Sequence, residues 1–402
     1  MRFSIATAAA AFAWLTAALP TVEPEPAVQA NYDVIVVGGG PSGLSAASAL
    51  ARVRRNVLLI DSGEYRNQYT RRIHDVLGFD GVTPAYFRWR ARQQILEYPT
   101  VHLTNGTVSK IEANGDAEYT SFSVTANFSA NGNTVVTARK VILATGLRDI
   151  VPTTPGLAEN WGKGIYWCPW CDGYEHADQS FGVLGPLDKS GNTPLEVLTL
   201  NKDIIIFANG TDTPENREIV EGKLPGFETW HALHNITVDN RTIVSLERLK
   251  DAGALNEDPS KATLPEHDLF RVNFEGGESV ERAAFVTNWL NEQRSKIGEE
   301  AGVALYGGKL AANLSAGMIT NVPGIYAVGD ANSDNSTNVP HAMWSGKRAV
   351  VSLHVTLEKE NAEFQIAQAG SAEKRDLVER ERMLWARVND GDLLNAGSFD
   401  RF

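Results

Sequence analysis

The chain of 402 residues contains two cysteines, Cys168 and Cys171, and both stand in one motif, Tyr166-Trp167-Cys168-Pro169-Trp170-Cys171-Asp172-Gly173. Two residues between the sulfurs allow a disulfide that exchanges readily. One thiol can then meet a substrate while the other faces a second acceptor. A zinc site would need further cysteines, which the chain lacks. A structural bridge is the other alternative, but a loop this short adds little stability. The pattern points to a redox pair. Asp172 could donate or accept a proton beside it, or simply stabilise the turn before Gly173.

A second group of residues suits phosphate. Gly38-Gly39-Gly40-Pro41-Ser42-Gly43 follows the apolar run Tyr32–Val37. An Ala-rich helical stretch to Val53 comes next, then a strand over Asn56–Ile60 that ends at Asp61. The order is strand, G-x-G-x-x-G, helix, strand, acid. Gly38 permits the tight turn, Gly40 lets a pyrophosphate approach the backbone, and Gly43 lets helix and strand pack closely. The helix N-terminus then faces the phosphates, and Asp61 can accept from a ribose hydroxyl. The fingerprint alone does not separate FAD from NAD.

The elements that must hold these groups need a long chain, and its length suggests two or three domains. Hydrophobic residues make up 43% and charged residues 21%, a globular composition. Lys and Arg total 37 against 49 Asp and Glu, a net charge of -12 with no basic stripe, which argues against nucleic acid. Arg2, the uncharged run Phe3 to Leu19 and Pro20 read as a secretory leader, with cleavage after Ala18 or Ala30. A retained membrane anchor is the alternative. No second apolar run is long enough to span a bilayer, so the mature protein is expected to be soluble. Seven N-x-S/T sequons, at Asn105, Asn127, Asn209, Asn235, Asn240, Asn313 and Asn335, agree with secretion.

Val141-Ile142-Leu143-Ala144-Thr145-Gly146 ends one strand and Gly324-Ile325-Tyr326-Ala327-Val328-Gly329-Asp330 ends another. With the first fingerprint, this set resembles the flavoproteins built of two dinucleotide domains. C-x-x-C-D-G within the middle segment resembles the low-molecular-weight thioredoxin reductase family and its oxidase relatives, over about residues 31 to 357. The resemblance implies an α/β fold of two Rossmann-like domains, the second inserted in the first. Residues 31–149 plus 286–357 would bind FAD, and 150–285 would form the inserted redox domain. Residues 358–402 would add a charged helical extension after the 1–30 leader. Asp330 is expected to hold the ribityl chain of FAD. Further cofactor contacts are expected at Gly38, Gly40, Pro41, Ser42, Gly43, Asp61, Ser62, Asn67, His74, Val108, Thr145, Gly146 and Val339. Cys171 would be the sulfur beside the flavin and Cys168 the one that exchanges with substrate. His341, in Pro340-His341-Ala342-Met343-Trp344, matches a histidine that the oxidase relatives carry near the redox pair. An imidazole titrates near neutrality and can take and return a thiol proton. Packing at a helix start is the alternative.

The chain departs from the reductase pattern at the second nucleotide site. Gly182-Val183-Leu184-Gly185-Pro186-Leu187-Asp188 keeps only fragments of the fingerprint. Pro186 removes an N–H, Asp188 adds negative charge, and Ala208-Asn209-Gly210-Thr211 has no basic residue for a 2′-phosphate. The expectation is a secreted, extracellular FAD-dependent sulfhydryl oxidase, a homodimer that takes electrons from small thiols such as glutathione and gives them to dioxygen. The alternatives are a dithiol oxidase closing a disulfide in a secondary metabolite, and an NADPH-dependent thioredoxin reductase. Neither a metal nor a nucleic acid is expected.

Overall fold

The computed structural model describes residues 30–115, 121–129, 132–255 and 265–388. The leader expected over 1–30 lies outside these residues except for Ala30, as do the last fourteen residues of the expected extension.

The first lobe is built on β1 (Tyr32–Val37), which lies between β2 (Val57–Asp61) and the distal half of β5 (Gly132–Leu143), all parallel. β2 pairs in turn with the first residues of β3 (Val101–Asn114). The rest of β3 turns antiparallel through β4 (Ser121–Phe128) into β5. The strand Ile325–Ala327 closes the outer side of β5. Alternation along β1 divides two cores, as a strand covered on both faces requires. Val34 and Val36 face helix α1 (Pro41–Arg52) and the long C-terminal helix, packing with Leu50, Leu353 and Leu357. Ile35 and Val37 face the meander, with Phe122, Val124 and Val141.

β6 (Leu147–Asp149) leads out of this lobe. The inserted lobe contains β7 (Ile165–Tyr166), β8 (Phe181–Leu184), β9 (Ile204–Phe207) and β10 (Thr237–Asp239). An antiparallel sheet of β11 (Ile243–Lys250), β12 (Leu269–Phe274) and β13 (Val280–Arg282) follows, and then β14 (Ala284–Thr287). β10, β9, β8, β14 and β7 form one parallel sheet in that order. β15 (Asn291–Gln293) returns to the first lobe antiparallel to β6, so outgoing and incoming chains are laddered together. The expected boundary at 285/286 therefore falls inside β14, a strand of the inserted sheet. The crossover comes later, at β15, because the apolar run Ala284–Thr287 is fully buried between β8 and β7.

The helix Val339–Val388 is continuous, so no element boundary marks the expected start of the extension at 358. Glu360 is bound to Arg139 at 3.0 Å and to Lys140 at 2.6 Å, which fixes this part of the helix to β5. From Asn361 onward the chain belongs to a separate unit, where Arg380 pairs with Asp376 one turn away at 3.0 Å.

Candidate active site

The glycine-rich turn is shaped by close contact. Gly38 has φ +111°, and a Cβ there would lie 2.3 Å from the Ala144 carbonyl oxygen. A Cβ on Gly43 would lie 1.9 Å from the Gly38 carbonyl oxygen. Gly40 is different, with nothing within 4 Å of the position a Cβ would take. Its open side belongs to a cavity. Pro41 starts α1 without losing a hydrogen bond, and Gly40 as N-cap has no side chain to cover the first-turn amides.

One cavity gathers most of the expected site residues. Gly38, Gly40, Pro41, Ser42, Asp61, Ser62, Asn67, His74, Val108, Thr145, Gly146, Asp330 and Val339 line it, and so do Cys171 and Asp172. Gly43, Cys168 and His341 are not among its lining residues. Gly43 is buried beneath the turn and acts through packing. The two carboxylates expected to serve cofactor hydroxyls already hold internal partners. Asp61 accepts from the Tyr65 hydroxyl at 2.6 Å and from Arg92. Asp330 pairs with Arg66 at 2.9 Å, and Arg66 also grips Asp149 of β6 at 2.6 Å. Burial pushes the Asp330 carboxyl above its usual range, while Arg66 pulls it back. The Arg66 guanidinium lies 4.3 Å over the Trp167 ring. Arg66 therefore ties the first lobe to the crossover strand and to the redox loop. No motif marks it, because its acidic partners lie 83 and 264 residues away.

Cys168 and Cys171 form a disulfide with Cα atoms 5.2 Å apart. Cys168 is the N-cap of the short helix Pro169–Asp172, and its carbonyl accepts from the amides of Cys171 and Asp172. Gly173 follows where a Cβ would strike the Pro169 carbonyl oxygen at 2.4 Å. Cys171 faces the cavity, and Cys168 does not line it. Trp167 packs in a column of indoles, 5.8 Å from Trp161, which lies 5.1 Å from Trp289. Trp170 points outward and is 70% exposed. Burial holds the Asp172 carboxyl well above the usual carboxylate range, helped by the charges of Glu266 and Glu175. The shift favours the protonated form of this carboxyl, beside the cavity-facing sulfur.

His341 sits on the helix that starts at Val339, its amide bonded to the Asn338 side chain at 2.8 Å. Its Nε2 is 2.7 Å from Asp334 Oδ2, and its ring lies 5.1 Å from that of Trp344. Asp334 thus fixes the imidazole, an arrangement suited to a base that becomes charged. Sequence reasoning named the histidine but not its carboxylate partner.

His176, Glu266 and Asp268 bring their ligand atoms within 4.8 Å of one another. Positive charge is already supplied there by Arg71, bonded to Glu266 and Asp268, and by Arg248, 2.7 Å from Asp268. The triad is an ion-pair network and we assign it no metal.

In the segment that carries the broken second fingerprint, several polar groups are paired within the protein. The Leu187 amide donates to Thr211 Oγ1 at 2.9 Å, so the short helix Leu187–Ser190 is capped from within. A Cβ on Gly182 would lie 2.2 Å from the Phe285 ring, which shows that this glycine serves aromatic packing. Arg217, the cation nearest the Asn209–Thr213 turn in sequence, is held by Asp212 at 2.6 and 2.8 Å and by Glu228 at 2.5 Å.

Residues 32–196 match the pyridine nucleotide-disulphide oxidoreductase family. The chain is 47% identical over 360 residues to a "Probable thioredoxin reductase" of Arthroderma benhamiae, covering 88% of this chain and 87% of that one. It is 32% identical to "Thioredoxin reductase tcpT" of Claviceps purpurea, over 78% and 90% of the two chains. Among solved structures it resembles that of HlmI, with a TM-score of 0.69 and 27% identity over 86% of this chain and 97% of that one. The cavity fits the FAD of such flavoproteins. Gly40 leaves room for a pyrophosphate at the α1 N-terminus, and Thr145 Oγ1 is buried in the cavity wall with no partner in the protein. The chain belongs to the pyridine nucleotide-disulphide oxidoreductases, as a thioredoxin reductase-like, FAD-binding flavoprotein.

Proposed function

We propose that the protein is a secreted sulfhydryl oxidase that joins small thiols such as glutathione into disulfides and gives the electrons to dioxygen. The reaction is 2 RSH + O2 → RSSR + H2O2. The observation that carries this reading is the second nucleotide site. Its helix amide is capped by Thr211, and its nearby arginine is neutralised by Asp212 and Glu228. Pairing of this kind disfavours NADPH as the donor and supports entry of electrons through the disulfide. Secretion is supported by the leader and by the sequons, all seven of which present an exposed asparagine. Among the described residues no helix is long and apolar enough to cross a membrane.

FAD, when bound, takes two electrons from the dithiol and returns them to an external acceptor. The protein residues supply the rest. A substrate thiolate attacks the disulfide at Cys168, and Cys171 leaves as a thiol or thiolate beside Asp172. Asp172, when protonated, stabilises that leaving sulfur. A second substrate thiol then frees Cys168 and departs as RSSR. His341, oriented by Asp334, takes the proton of the attacking thiol. α1 and the Gly38–Gly43 turn hold the cofactor phosphates. Arg66 and the indole column hold the redox loop against the cavity.

Anaerobic spectrophotometry tests the reading. Glutathione or dithiothreitol should bleach the flavin absorbance, and NADPH should not. Calorimetry should show no NADPH binding in the micromolar range, and a micromolar dissociation constant would overturn the proposal.

A further inference from the structure

Behind the disulfide lies a run of ionisable groups of which the mechanism above uses only Asp172. Asp172 and Glu175 stand three apart on the turn that carries Cys171. Glu175 is 5% exposed, and its Oε1 is 3.4 Å from His74 Nε2. His74 Nδ1 is 3.5 Å from Asp80 Oδ2, whose side chain is 58% exposed. Asp172 and His74 both line the cavity, so the run begins at the redox site and ends in solvent. Tyr166, two residues before Cys168, is 1% exposed, and its hydroxyl has no hydrogen-bond partner in the protein. Burial raises the pKa of that hydroxyl well above the usual tyrosine range, and the charges of Asp172, Glu175 and Glu266 add to the shift. A buried hydroxyl left unpaired by the protein marks a point where a water or a moving proton is held. The remaining charges around the run are fixed. Arg71 holds Glu266 and Asp268, and His176, stacked 5.8 Å from the Tyr166 ring, is pushed by burial down to about 4 and stays neutral.

Disulfide turnover requires a route for protons. Opening the bridge, 2 RSH + S–S → RSSR + 2 SH, keeps every proton on sulfur. Closing it again sends two electrons to FAD and releases two protons from the cysteine thiols. We propose that Asp172, Tyr166, Glu175 and His74 form a relay that carries protons between the Cys168–Cys171 pair and solvent at Asp80. As the S–S bond re-forms, Asp172 takes the proton leaving Cys171 and hands its own on by way of the Tyr166 hydroxyl to Glu175. His74 passes one on to Asp80 and water. Burial raises both the Asp172 carboxyl and the Tyr166 hydroxyl, and each, when protonated, can receive on one lone pair while donating from its O–H. The relay rests on the redox role of the disulfide proposed above, and not on which acceptor follows FAD.

The test is stopped-flow bleaching of the flavin by dithiothreitol, without oxygen, from pH 5 to 9. Glu175→Gln should slow bleaching at least about tenfold at pH 7, with FAD content unchanged and one ionisation lost from the pH profile. Tyr166→Phe is the variant safe against misfolding, since it deletes only an unsatisfied hydroxyl. It should melt at the wild-type temperature or above and yet bleach at least about fivefold more slowly. A rate within about twofold of wild type in either variant overturns the relay. So does a uniform slowing that leaves the pH profile unchanged. A wild-type flavin that dithiothreitol does not bleach would defeat the thiol reading itself, and the relay with it. Normal wild-type bleaching with full-speed variants would defeat the relay alone.

Discussion

Cys171→Ser should keep its FAD and lose thiol-driven flavin bleaching to background, a loss of roughly 10³-fold or more. The FAD-binding turn is built from Gly38, Gly40 and Gly43 and does not depend on the sulfur. The disulfide, by contrast, links any incoming thiol to the cavity, and Cys171 is the sulfur that lines it. Serine in its place leaves Cys168 able to meet a thiol but unable to re-form the bridge. Because the chain contains just two cysteines, the wild-type protein as isolated should show almost no titratable thiol. The Cys171→Ser variant should show one per chain. Full turnover in that variant would remove the disulfide from the mechanism.

The parts of this site that were legible in the sequence are those made by neighbours in the chain. G-x-G-x-x-G, C-x-x-C-D and the strand that carries Asp61 each fix local backbone, and each local backbone places its own residues on the cavity. Gly38, Cys171 and Asp172 are found where their motifs put them. Contacts between segments left no such trace. Arg66 meets Asp149 and Asp330 across 83 and 264 residues, and Arg71 meets Asp268 across 197. A pair of opposite charges so far apart has no spacing to read. The same holds for the Thr211 cap on Leu187, which comes from 24 residues downstream. The sequence showed that the second fingerprint was broken, through Pro186 and Asp188, but not how Thr211, Asp212 and Glu228 pair with the groups around it. The domain boundary moved for a related reason. Ala284–Thr287 reads equally well as the end of one sheet or the start of another, and pairing with β8 and β7 decides it.

His341→Ala should lower thiol-driven flavin reduction by at least about tenfold at pH 7, with FAD retained, since a positioned base contributes ~10²–10⁴-fold at the step it assists. The attacking species is a thiolate, and a free thiol near pKa ~8.5 is mostly protonated at neutral pH. An imidazole that removes the proton raises the reactive fraction there. The deficit should therefore shrink as pH climbs toward the thiol pKa, where water supplies the thiolate unaided. The structure adds a second arm to this test. Asp334 lies 2.7 Å from Nε2 and fixes the ring, so Asp334→Asn should reproduce part of the loss with the same pH dependence. His341 is absent from the cavity wall, whereas Val339 and Ala342 on either side of it belong to that wall. A structural role predicts a different pattern. The ring packs against Trp344 and the amide is bonded to Asn338, so a purely structural histidine would show lowered thermal stability and the same deficit at every pH. A pH-independent defect in His341→Ala, or loss of FAD from it, would remove the residue from the chemistry and leave thiol activation to the substrate's own ionisation.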